Sequence, residues 1–145
     1  MATALQLKTL ANERILEAEV LLENSKHAGV FYLAGYAIEF ALKAVICSRL
    51  DVEMFDQSRN SNQKDISPKV SSAFLTHNLT DLLILSGLKR EFNIKKISDS
   101  GFAAAWSEVS QWSEQRRYDF GCTEQAANDF LSHSKTLLAW IRNHW

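Results

Sequence analysis

The sequence predicts an all-α fold, on three observations. Apolar residues recur at three- and four-residue steps through most of the chain, which is the period of a helix face. One proline and five glycines in 145 residues are too few to punctuate a sandwich or barrel of many short strands. The first two apolar-periodic segments are joined by the short stretch NSKHAG, and a short connection favours antiparallel neighbouring helices. With 46 % hydrophobic and 23 % charged residues the composition is that of an ordinary globular chain, read as one domain over 1–145.

A first helix is expected over about Thr3 to Asn24, where Leu7, Leu10, Ala11, Ile15, Ala18, Leu21 and Leu22 share a face and Glu13, Arg14, Glu17 and Glu23 are interspersed. Asn24, Ser25 and Gly29 supply turn chemistry, and a second, apolar helix then runs to about Leu50. Its core, Val30 to Ile46, is apolar except for Glu39 and Lys43. The following stretch, Asp51 to Ser72, is polar, holds the proline Pro68 and has no sustained periodicity, so it reads as a long, mobile loop. A third helix is expected over Asn78 to Leu85, with His77 at its start and Gly87 as a stop signal. Next comes LKREFNIKKI, where Lys89, Arg90, Lys95 and Lys96 face the single acid Glu91. Asp99 or Ser100 caps a fourth helix carrying Phe102, Ala105, Trp106, Val109 and Trp112, which leads into RRYDFG. Thr123 opens a last helix with Phe130, Leu131, Leu137, Leu138, Trp140 and Ile141, running to the end of the chain at Trp145.

A net charge of -1 and a pI near 6.4 provide no global attraction to nucleic acid or to an anionic membrane, so binding of that kind must come from a local patch. The basic LKREFNIKKI stretch is one such patch, with Phe92 as an interleaved aromatic that could stack on a base; a solvated linker is the alternative. The N-terminal residues MATALQLKTLANER lack the apolar region and cleavage pattern of a secretory signal, and a cytoplasmic location is expected. Ala28 to Cys47 has the length of a membrane span, but Glu39 and Lys43 would each cost several kcal/mol in lipid, so the segment reads as a buried core helix. Cys47 and Cys122 have no metal-type spacing and read as reduced, structural thiols.

Most chemical motifs are missing. His27, His77, His133 and His144 are scattered, with no HxxxH or HExxH pair, so no metal site is expected. The glycines never form a phosphate loop, and no GxSxG elbow exists. The informative feature is Glu39 and Lys43, set one turn apart on a helix too apolar for solvent. A buried lone charge is costly, so both require partners, and the candidates are His77, Arg116, Arg117 and Tyr118. Read functionally, this set could grip a phosphodiester and move protons. Read structurally, its members neutralise one another and fix how the helices dock.

On these residues the chain resembles the HEPN domain family. The resemblance covers most of the sequence: LANERILEAEVLLEN in the first helix, YLAGYAIEFALKAVI in the second, then THNLTDLLILSG and RRYDFG in the same order. The second-helix signature is the most specific. The family implies an antiparallel, up-and-down bundle of four to five helices, often a homodimer. Many members are metal-independent endoribonucleases, often toxins paired with a nucleotidyltransferase antitoxin, and carry an arginine and a histidine separated by four to six residues. No histidine follows Arg116 or Arg117 at that distance; Phe120 to Thr123 occupy the place. The chain is therefore similar to the non-catalytic members. The expected function is a binding or accessory module for nucleotide, RNA or a nucleotidyltransferase partner, without cofactor, with Glu39, Lys43, His77, Arg116, Arg117 and Tyr118 as its polar cluster. The alternatives are an endoribonuclease with a degenerate site and a pure protein-interaction module.

Overall fold

The computed structural model describes residues 2–56, 58 and 65–145. Among them are seven α-helices and no strand: α1 (Ala4–Glu23), α2 (His27–Leu50), α3 (Pro68–Phe74), α4 (Leu79–Leu85), α5 (Lys89–Ser98), α6 (Ser100–Val109) and α7 (Glu124–Arg142), with a 3-10 turn at Glu114–Tyr118. The all-α class is as expected, but the helix count exceeds the four to five expected.

Side-chain caps set most of the helix starts. Thr3 and Gln6 form a reciprocal capping box on α1. Ser67, Asn78, Asp99 and Thr123 each accept a hydrogen bond from a backbone N–H in the first turn of α3, α4, α6 and α7. Two helices lie where none was expected. Within the segment read as a loop, Pro68 stands in the first turn of α3, where its missing N–H costs nothing, so it opens a helix instead of marking a break. That segment also contributes Met54 and Phe55 to the core; positions 57 and 59–64 of it lie outside the described residues. The basic LKREFNIKKI stretch is largely α5, and its Phe92 is buried against Phe102 and Trp106 with nothing left to offer a base. The fourth expected helix ends at Val109, so Trp112 reaches the core from the turn that follows α6.

Contacts along the long helices fix their directions. Gly29 meets Leu21 at one end of the α1–α2 pair, and the amide of Ala4 donates to Glu53 at the other, so α1 and α2 run antiparallel. Arg142 donates to Asn12 and Lys135 pairs with Glu19, so α7 also runs opposite to α1. Phe102 of α6 meets Trp140 edge-on near the end of α7. Helix α2 is the centre of the assembly, packed against α1, α4, α7 and the 3-10 turn. It is the one described helix long and apolar enough to cross a membrane, and most of its length is buried inside the protein.

Candidate functional site

Glu39 lies in the middle of α2 with 1 % of its surface exposed, too deep for a carboxylate without partners. Two side chains supply them. Lys43, one turn further on, approaches Oε1 with its Nζ at 2.6 Å, and Nδ1 of His77 lies 2.9 Å from Oε2. The i, i+4 spacing places the lysine; the short α3–α4 connection places the histidine, one residue before the Asn78 cap of α4. His77 therefore does not cap its helix. It spans from α4 to the core helix with about half of its side chain, 48 %, still exposed.

The ionised carboxylate can only accept, so Nδ1 of His77 carries the hydrogen, and Nε2 is the nitrogen free to meet solvent or ligand. The ring of Tyr36, one turn before Glu39, meets the His77 ring edge-on at 6.2 Å. Burial, then the neighbouring Tyr32 hydroxyl, then the charges of Glu39 and Glu114, push the Tyr36 phenol up to about 12. Glu114, at the start of the 3-10 turn, is held below the usual carboxylate range, chiefly by its own backbone amide and also by Gln115, His77 and Arg117. Glu114 thus stands within electrostatic reach of both His77 and Arg117, and Tyr36 and Glu114 join the neighbourhood without having been expected from the sequence. The signal for Tyr36 was its position one turn before Glu39 on the same face; none existed for Glu114.

The expected cluster is otherwise divided. Arg116 pairs with Asp119 at 2.8 Å and lies over the Phe31 ring at 4.7 Å. Arg117 lies over Tyr118 at 5.1 Å, and both are exposed. Neither arginine bonds to Glu39, so of the partners open to that carboxylate, Lys43 and His77 are the ones realised. In the basic stretch, Glu91 faces Arg49 at 3.7 Å and Lys95 pairs with Asp99 at 3.0 Å, which leaves Lys89, Arg90 and Lys96 as its exposed cations, with the Lys89 ammonium 5.1 Å from the centre of the Phe92 ring. Among the described residues no group of histidines, cysteines and acids has the arrangement of a metal site, and both cysteines are free, with burial pushing the Cys47 thiol up.

Trp112 completes the neighbourhood from the side of the 3-10 turn. Its indole lies on the backbone of Gly35 and meets Tyr36 edge-on at 4.9 Å. This contact carries the turn, and with it Glu114 and Arg117, onto the same half of α2 that bears Tyr36 and Glu39. Protein-family models, curated proteins and solved structures yield no match to this chain.

Proposed function

We propose that the chain is a HEPN-like accessory module that holds a phosphate of a nucleotide or RNA at the His77 surface without cleaving it. The observation that carries this reading is the division of the polar cluster: Glu39, Lys43 and His77 are joined, whereas Arg116 is committed to Asp119 and Arg117 to the face of Tyr118. In-line attack by a 2'-hydroxyl needs a base and a phosphate-holding cation at one reacting centre. Holding a phosphate needs less: one surface N–H, which Nε2 of His77 offers when the ring carries both protons, and the exposed guanidinium of Arg117, which would leave the Tyr118 face to reach it. Glu114 beside them opposes an anion, so the binding is weak and salt-sensitive.

The rest of the family reading belongs to the same proposal. The antiparallel contacts of α1 with α2 and α7 support an up-and-down bundle. A cytoplasmic homodimer working beside a nucleotidyltransferase is the context that follows from it.

A second reading is favoured by one contact. A carboxylate on Nδ1 that leaves Nε2 outward as an acceptor is how a general-base histidine is oriented. With Arg117 swung onto the phosphate, His77 would serve a degenerate, metal-independent endoribonuclease.

Fluorescently labelled single-stranded RNA in the presence of chelator tests both. The expected result is intact RNA with weak anisotropy binding that falls with salt and falls further in His77→Ala and Arg117→Ala. Cleavage abolished by both substitutions in folded protein would replace the accessory module with the ribonuclease. Absence of binding even at low salt would leave a pure interaction module.

A further inference from the structure

The ammonium of Lys43 does not reach for solvent as lysines usually do. The residue is 8 % exposed and lines a cavity of about 230 Å³ whose other walls are Ala2, Leu7, Leu10, Phe40 and Phe55. Lys43 is the one charged side chain in that lining. An ammonium has three N–H donors. One goes to Glu39 at 2.6 Å, and the head lies 5.1 Å from the centre of the Phe55 ring, which hydrogen-bonds nothing strongly. The single carboxylate of Glu39 is shared between Lys43 and His77. A second carboxylate would give the lysine a partner of its own and leave Glu39 to the histidine.

We propose that this cavity binds a short apolar monocarboxylate, with its carboxylate on Lys43 Nζ and its chain among Leu7, Leu10, Phe40 and Phe55. The reading is independent of any phosphate at His77. The apolar walls decide the class of the remainder, because a second polar group buried there would lack a partner. Volume decides the size: 230 Å³ lies below the range of about 300–1,000 Å³ usual for drug-sized ligands, so a short chain fills it. Access is open. A shallow groove along α1, formed by Ala2, Leu5, Gln6, Thr9 and Leu10, adjoins the cavity and shares Ala2 and Leu10 with it. At that end of α1 the carboxylate of Glu53 accepts from the amide of Ala4 at 2.6 Å.

Calorimetric titration of the full chain with octanoate, below its micellar range, tests the proposal, with 1-octanol and octylamine as probes of equal length. Octanoate is expected to bind saturably at one site, octanol at least about tenfold more weakly for want of the charge-assisted hydrogen bond, and octylammonium not at all. Lys43→Met should remove at least that same factor. Because Lys43→Met leaves Glu39 with His77 alone and could impair folding, Leu10→Trp provides the second arm. It fills the mouth of the cavity, keeps the Lys43–Glu39 pair and should abolish octanoate binding with an unchanged far-ultraviolet spectrum. The proposal is overturned if millimolar octanoate does not bind, if octanol binds as tightly, or if Leu10→Trp leaves the octanoate affinity unaltered.

Discussion

Trp112 lies so close on Gly35 that a Cβ on the glycine would stand 2.1 Å from the indole Nε1 and 2.2 Å from two further ring atoms. The indole is buried, and its Nε1 has no hydrogen-bond partner. Helix α2 thus keeps a glycine in its interior, against propensity, because only a residue without a side chain lets the turn after α6 dock there.

Gly35→Ala should therefore destabilise the protein although alanine is the better helix former. Displacing a buried tryptophan costs about 3–5 kcal/mol, and the propensity gain returns about 1 kcal/mol, for a net loss of about 2–4 kcal/mol. Urea denaturation measures it. The double variant Gly35→Ala/Trp112→Ala should be about 1 kcal/mol more stable than Trp112→Ala, because without the indole the new methyl group meets nothing and only the propensity gain remains.

Glu39→Ala should cost about 3 kcal/mol or more, since it leaves the buried Lys43 ammonium without its carboxylate. The double variant Glu39→Leu/Lys43→Leu should be more stable than Glu39→Ala, because it buries no unpaired charge. Thermal melts of the three proteins decide it. A loss from Glu39→Ala no larger than that of a surface substitution would mean that solvent reaches the pair.

How much of this was legible in the sequence depended on distance along the chain. The Glu39–Lys43 pair is an i, i+4 relation and could be read directly, as could α1, α2, α4, α6 and α7, each with apolar periodicity and all but α2 with a capping residue. Helix α2 starts at His27 without a side-chain cap, several residues before the apolar run that announced it. Helices α3 and α5 are short, and their polar or charged composition hides the single face that matters, as with Phe92 in α5. His77 could be reached only by elimination, since it stands 38 residues from Glu39. The two arginines of the 3-10 turn were equally plausible partners on composition. Local geometry took them elsewhere: Asp119 lies three residues from Arg116, and Tyr118 is next to Arg117.

The partly buried phenol of Tyr36 gives a pH dependence of definite sign. Its folded value of about 12 lies above the ordinary value of 10, so the folded state retains the proton that the unfolded state releases. The resulting stabilisation is fully present below pH 10 and is lost as pH rises from 10 towards 12. In Tyr36→Phe this component is absent, so the stability difference between wild type and variant should shift against the wild type over that interval. Tyrosinate absorbance offers a direct check: the wild type should retain a late-titrating phenol that the variant lacks.

The proposed homodimer can be tested at the end of the RRY turn. Tyr118 and Phe120 are 68 % and 91 % exposed, two aromatic rings bared within three residues of an otherwise polar segment. Exposed aromatics that become buried at an interface are common energetic anchors, worth about 2 kcal/mol or more each when truncated. If this turn lies at the dimer contact, Phe120→Ser should raise the dimer dissociation constant by more than about tenfold and leave the thermal stability of the monomer unchanged, since the ring touches little of its own chain. Sedimentation equilibrium across micromolar concentrations reads both quantities. A wild-type protein that stays monomeric throughout would remove the homodimer, and a dimer indifferent to both Phe120→Ser and Tyr118→Ser would move the contact to another face, with Leu5 and Val20 of α1 as the next apolar residues to replace.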